Sequence, residues 1–328
     1  MSIYSRTTHS LLAAFCTSLF ALAPGMSHAW TNKPLKLIVP APPGGTQDAV
    51  ARALADELAQ EIQQTVIVEN KPGGGGVIAV QALNATPPDG NALLVTANNL
   101  LTEAPLVIKV NFDPLKDLTP IAMVARTSVV LVSSPSIPAK DLKSLVSYLK
   151  TQPESTSYAS YSTGTVSHYA GVIFNQKAGL DMQHVPFPGS PPALAQVMGK
   201  QITVMFDALP TSGPMIAAGK VRAYGVASKT RSALLPNVPT FAEQGFPDIE
   251  FNNWVGVVAS SKMPVEIQKK IRGAVLKASA APRLKERLAL QGFEVRSDLT
   301  QEQLAQVLKM EYDQNSSIVK TFGITQNH

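Results

Sequence analysis

From residue 30 onward, short β-branched runs alternate with stretches whose apolar residues recur every three or four positions. Lys36 to Pro40 reads as a buried strand. Gly44-Gly45 breaks it, and Thr46 is the expected N-cap of a helix striped by Val50, Leu54, Leu58 and Ile62. Thr65 to Glu69 is the next expected strand, followed by the glycine run 73–76 and a helix reaching about Ala85. Asp89-Gly90 turns the chain into a third strand, Leu93 to Thr96. Leu142, Leu145, Val146 and Leu149 show helical spacing, with Pro153 just beyond. Ser157 to Tyr161 is a strand that leads through Ser162-Thr163-Gly164-Thr165 into another helix. His184 to Phe187 leads into a helix with Ser190 as expected cap, Pro191 as first helical residue and Gly199 at its close. Ile202 to Phe206 and Ala223 to Ala227 are further strands; from Pro264 the chain turns helical, with one short strand near Glu294 to Arg296.

This alternation predicts an α/β protein of open, mostly parallel sheets with helices on both faces. Ligands in such sheets sit beyond the carboxyl ends of the strands. The chain after residue 29 is about 300 residues long, more than one comfortable core, so two lobes are expected.

The first 29 residues stand apart. Arg6 is their only charge, Leu11 to Met26 is apolar, and Ser27-His28-Ala29 offers small residues where a signal peptidase reads. This is the pattern of a secretory signal peptide cleaved after Ala29, which sends the protein to the periplasm. Pro24 and Gly25 keep the apolar run below the roughly 18 residues of a membrane span. Cys16, the one cysteine, lies in this leader, so the remaining chain has no disulfide or thiol chemistry. Setting aside Arg6 leaves 27 basic and 23 acidic residues, a formal +4 without a basic block. That is too diffuse for a nucleic-acid footprint.

Three strand-to-helix loops share one design of small residues, glycine and hydroxyls: Ala41 to Asp48, Ser160 to His168, and Phe187 to Pro191. The first turn of a helix carries unpaired N–H groups and partial positive charge, so each loop is a candidate anion site. Each charge-assisted hydrogen bond contributes roughly 1.5–3 kcal/mol. Several of them, after the cost of association, reach the roughly 8 kcal/mol of a micromolar complex without Lys or Arg. Asp48 would repel a carboxylate nearby, so it either turns back to hold the loop's own N–H groups, the expected role, or meets a cationic group on the ligand. Gly74, Gly76 and Ala79 fit a G-x-G-x-x-A pattern, but Asn70-Lys71-Pro72 separates them from the strand; the run reads as a structural turn. Ser162, His168 and Asp207 can be drawn as a hydrolase triad, yet no G-x-S-x-G elbow is present. His168 and His184 lack metal-ligand spacing, and no cofactor or metal is expected.

At these loops the chain resembles the Bug family, the extracytoplasmic receptors of tripartite tricarboxylate transporters. The resemblance is carried by KPLKLIVPAPPGGTQDAVAR, VIVENKPGGGG, PPDGNALL, FDPLKDLTPIAMVA, YASYSTGTVSHYAG, HVPFPGSPPAL, GKVRAYGVAS and LPNVPTFAEQGFP, in family order. It implies a two-lobed, Venus-flytrap periplasmic binding fold, type II-like, with residues 30–126 plus 254–328 as one lobe and 127–253 as the other. It implies a non-enzymatic, monomeric receptor for a small carboxylate, handing it to membrane permease subunits or, alternatively, to a sensor protein. The carried-over ligand residues are Ala41, Pro43, Gly44, Gly45, Thr46 and Asp48 from the first loop. The opposing lobe supplies Tyr161, Ser162, Thr163, Gly164, Thr165 and His168, then Phe187, Gly189 and Ser190, with Asp207 as a recurrent acid at the cleft. Ala41 stands where many relatives carry an aromatic residue, and Phe187 where tyrosine is common. A roomier, less polar site leans towards an aromatic or longer-chain carboxylate.

Overall fold

The structure is a computed structural model and describes residues 33–152 and 155–325. The expected signal peptide, its cleavage point and Pro153 lie outside the described residues. Eleven strands form two sheets among those residues. The first has six, in the order β11 (Phe293–Val295), β4 (Leu118–Thr127), β10 (Asn253–Ser260), β3 (Ala92–Ala97), β1 (Leu35–Val39) and β2 (Val66–Asn70). The second has five: β7 (Gln183–Pro186), β6 (Ser157–Ser160), β8 (Val204–Ala208), β5 (Val129–Ser133) and β9 (Arg222–Val226). Each sheet is the centre of one lobe.

The continuous apolar runs become the inner strands because both their faces are covered. Every residue of β3 and β10 is buried. On one face of the first sheet, Leu35, Leu37 and Val39 of β1 pack with Val50, Leu54, Leu58 and Ile62 of α1 (Thr46–Ile62), the expected stripe. On its other face Ile38 joins Leu83, Leu100, Trp254 and Leu304. The second sheet likewise separates two cores, one around Tyr158, Phe174, Phe206 and Phe241, the other around Val130, Leu194 and Leu209.

The sheets are mixed, where the strand–loop–helix rhythm suggested mostly parallel ones. β1 pairs in parallel with β2 and β3, and β6 with β7 and β8, but β5 is antiparallel to both its neighbours, β8 and β9, and β10 to both of its own, β3 and β4. The reason is the crossing of the chain between lobes. β4 runs to the cleft and hands over across the single residue Ser128 to β5, which must therefore run away from it. β10 does the same on the return from β9. Two register shifts bend β10 along β4, one of them at Gly256. A Cβ there would lie 2.5 Å from the Ala122 carbonyl oxygen, so only glycine lets the bulge close.

Helix α11 (Gln301–Phe322) ties the halves together. Leu304 and Leu308 belong to the first lobe's core, while Phe322 and the following Ile324 belong to the second's.

Candidate functional site

A cavity of about 570 Å³ lies between the two sheets at the carboxyl ends of β1, β3, β6, β7 and β8. Among the helices that begin at its wall are α1, α2 (Val77–Asn84), α6 (Val166–Ala178) and α7 (Ser190–Met198). Their N-caps, Gly45, Gly76, Thr165 and Gly189, all line it. None of the four caps bonds its own first turn through a side chain. Helices α5 (Leu142–Lys150) and α11, whose first turns are elsewhere, carry full capping boxes, Asp141 with Ser144 and Thr300 with Gln303. The Ser167 amide of α6 bonds the Tyr161 hydroxyl, and Pro191 and Pro192 of α7 carry no N–H; the other first-turn N–H groups at the wall are donors for whatever enters the cavity.

This corrects two expected caps. Thr46 is the first helical residue after Gly45, and Ser190 the first after Gly189. Ser190 instead donates to the buried Asp207 carboxylate, and the next two residues, Pro191 and Pro192, have no N–H to offer its hydroxyl. Thr165 is a cap by position, but its hydroxyl donates to the Ser162 carbonyl at 2.6 Å and ties its loop together.

Of the residues singled out in the sequence, Ala41, Gly45, Thr46, Tyr161, Ser162, Thr163, Thr165, Phe187, Gly189 and Ser190 line the cavity. Pro43, Gly44, Asp48, Gly164, His168 and Asp207 stand behind its wall, each for a physical reason. Asp48 is buried and turned back: it accepts from the Gly44 N–H, from Arg52 Nε and from Asn70 Nδ2, each at 2.9 Å. Burial raises its pKa, and the bonds from Arg52, Gly44 and Asn70 outweigh that and hold it below the usual aspartate value. Gly44 thereby gives its N–H to Asp48, and Pro43 beside it is exposed. Gly164 is pressed on the opposite lobe; a Cβ on it would lie 2.8 Å from Ala104 Cα. The His168 ring is fully buried, stacked 4.3 Å from the His184 ring, and accepts from the Gly164 N–H at 3.3 Å. Buried, and turned into that stack, it does not face the cavity as a ligand group or a general base would.

Asp207 is fully buried, with its carboxylate bonded to Ser190 and to Thr211 Oγ1 (2.7 Å). Burial pushes its pKa up to about 6 against those hydroxyls and the Ala208 N–H. Burial and the Asp207 and Glu103 carboxylates push the Tyr161 phenol up, so it stays a neutral hydroxyl at the wall. Beneath the floor formed by Asn99 and Asn253 lie two more buried acids. Glu311 accepts from Trp254 Nε1 at 3.1 Å and Asn98 Nδ2 at 3.2 Å; burial pushes it up to about 7. Burial, with Glu311 nearby, pushes Glu103 up to about 8.

Several lining residues were not singled out. Gly73, Gly74, Gly75 and Gly76, read above as a structural turn, form part of the wall, all with positive φ. A Cβ at Gly75 would lie 2.3 Å from Ile108 Cδ1, and one at Gly76 2.5 Å from Leu100 Cδ1. The glycines let the loop nest against those side chains and still expose backbone to the cavity. Gln47, Thr96, Asn99, Lys109 and Asn253 complete the polar lining. The Gln47 side-chain oxygen is buried and has no hydrogen-bond partner. Among the described residues no cluster of His, Cys, Asp or Glu is built to hold a metal, and no helix is long and apolar enough to cross a membrane.

Comparison with known proteins agrees with this architecture. The chain is 30% identical over 300 residues to a protein from the tcbD-tcbE intergenic region of Pseudomonas sp. (strain P51), covering 91% of this chain and 89% of that one. It is 29% identical to the protein BugT of Bordetella pertussis, covering 86% and 87%. Among solved structures it resembles the periplasmic binding protein BugD (29% identity, TM-score 0.86, 90% and 99% covered). It also resembles an R. palustris protein solved with adipate (27%, 0.86, 90% and 99%) and MatC from Rhodopseudomonas palustris with bound malate (29%, 0.83, 88% and 100%). The family profile described as tripartite tricarboxylate transporter family receptor matches residues 50–324, and the chain belongs to that family.

Proposed function

We propose that this protein is a periplasmic solute-binding receptor that captures a small carboxylate in the cavity and delivers it to the permease subunits of a tripartite transporter. The observation that carries the reading is the convergence of the starts of α1, α2, α6 and α7, three of them at glycine N-caps, on one cavity with no acid among the described residues that line it. Main-chain donors in that arrangement favour a negatively charged group. The adipate and malate bound by two structural relatives support a carboxylate as that group. The ligand contacts are drawn from Ala41, Gly45, Thr46, Tyr161, Ser162, Thr163, Thr165, Phe187, Gly189 and Ser190, with Asp48, Gly164, His168 and Asp207 shaping the wall from behind. The proposed lobes are 30–126 with 254–328, and 127–253. They close by rotation about Ser128 and the start of β10, with the ligand favouring the closed state. The leader directs export and is cleaved after Ala29.

A thermal-shift panel tests the reading. A ligand at about 100 times its Kd adds roughly 2.7 kcal/mol, a rise in Tm on the order of 5 °C or more. Carboxylates should stabilise while their neutral amides do not; stabilisation only by neutral or cationic compounds would end the proposal. Gly45 has φ −77°, which any residue adopts, but a Cβ there would lie 3.1 Å from the Pro42 carbonyl oxygen, so Gly45→Val displaces the first loop; circular dichroism checks that the variant is folded. Its expected effect is about tenfold weaker binding, about 1.4 kcal/mol; unchanged affinity removes that loop from the site.

A further inference from the structure

Lys109 is the only charged side chain among the described residues that line the cavity. It is exposed and takes part in none of the ion pairs between described residues. Its place in the cavity is fixed by its neighbours. Lys109 follows α4 (Ala104–Val107) by two residues, and Ile108 between them is extended and nests on Gly75. Ala104 and Val107 meet Gly164 of the other lobe, so α4 closes one end of the cleft. The other end is closed where Pro42 meets Gly189 and Pro191 approaches Gly44, beside the starts of α1 and α7. The lining also includes the apolar side chains of Val77, Leu100 and Phe187.

We infer that Lys109 reads a second anionic group at the far end of the ligand, so that the site selects a dianion with an apolar middle over a monoanion of equal length. The inference rests on the carboxylate reading above. Helix-start amides hold the first carboxylate at the Pro42–Gly189 end, and a four-carbon ammonium stem at the α4 end meets the second. The ammonium is a point charge on a flexible arm, so it tolerates ligands of several lengths and remains sensitive to salt.

The test is isothermal titration of the full protein with adipate and hexanoate, for the native chain, Lys109→Met and Lys109→Arg. The native protein should bind adipate at least tenfold more tightly than hexanoate. Lys109→Met should bring adipate affinity down about tenfold, to the level of hexanoate, and Lys109→Arg should keep most of the preference. Raising the salt concentration should narrow the gap in the native protein and leave Lys109→Met unaffected. A native preference that survives Lys109→Met, or no native preference between the two acids, overturns the inference while leaving the carboxylate reading standing. Should neither these acids nor any carboxylate of the thermal-shift panel bind, both fall together. Thermal denaturation of the ligand-free variants separates a lost contact from a damaged fold.

Discussion

Asp48 and Asp207 each stand behind a helix start that faces the cavity, and they solve the same electrostatic problem in opposite ways. Asp48, in the first turn of α1, keeps its charge: Arg52, Asn70 and the Gly44 N–H surround it, and the guanidinium reaches out to solvent. Asp207, at the end of β8, has only the hydroxyls of Ser190 and Thr211 and the Ala208 N–H, and burial moves it towards protonation near pH 6. An uncompensated carboxylate beside an anion site would repel the ligand. One lobe holds its acid against a cation; the other holds it against neutral donors and neutralises it with a proton only as pH falls through about 6. The first arrangement is insensitive to pH above the carboxylate range, and the second makes its half of the site titratable.

Breaking the cation-held side should have the largest effect. Asp48→Ala strands the Gly44 N–H and the Asn70 amide behind the loop and removes the partner of Arg52. Arg52 is half-exposed and can be re-solvated, so the loss should lie at the low end for a buried pair, about 3 kcal/mol by chemical denaturation. The folded pKa of Asp48 is lowered, so its contribution is complete above the unfolded value and disappears as pH falls through the folded one. The deficit of the variant should therefore shrink below about pH 4. A deficit under about 1 kcal/mol at neutral pH would mean that the loop is held by its other contacts.

The proton-held side gives the next largest effect, with the opposite sign. Asp207 has a raised folded pKa, so between the unfolded value of 3.8 and about 6 the folded state binds more protons than the unfolded state. Stability therefore falls as pH rises through that window, by roughly 2–3 kcal/mol for this group. Asp207→Asn should remove that part of the slope and also flatten the weakening of carboxylate binding above pH 6. Glu311 and Glu103, raised to about 7 and about 8, should keep the remaining decline going to about pH 8. Parallel stability–pH curves for the native protein and Asp207→Asn would mean that Asp207 is already charged in the fold.

The two aspartates also show what was legible in the sequence. The role of Asp48 could be read from spacing alone, because glycine, acid and helix start are all within five residues. That of Asp207 could not: its partners Ser190 and Thr211 lie on other elements, and only the fold brings α7 over β8. The same division runs through the molecule. The stripe of α1 and the three small-residue loops are local patterns and were readable; β5 and β10 run antiparallel because of where the chain crosses, which no local pattern encodes. The ring of His168 turns inward because His184, on β7, offers a stacking face. The glycine run 73–76 is the turn its sequence suggests, but its place in the cavity wall depends on Leu100 and Ile108, far along the chain, which no local pattern encodes.

The smallest predicted effect separates the two kinds of neutralisation most finely. Among the described residues, Ser190 lines the cavity and bonds Asp207 through its side chain, so Ser190→Ala alters the acid's surroundings without replacing it. Its hydroxyl favours the charged form of Asp207, and its removal should move the titration of that group upward from about 6. The lost hydrogen bond contributes about 1 kcal/mol, which should appear as a shift in the midpoint of the stability–pH curve of under about one unit. Arg52→Met moves the titration of Asp48 upward too, but from below the ordinary carboxylate range, so near pH 6 it should leave that curve in place. A Ser190→Ala protein whose curve moves downward, or an Arg52→Met protein whose curve shifts near pH 6, would show that Asp207 is not the group that titrates there.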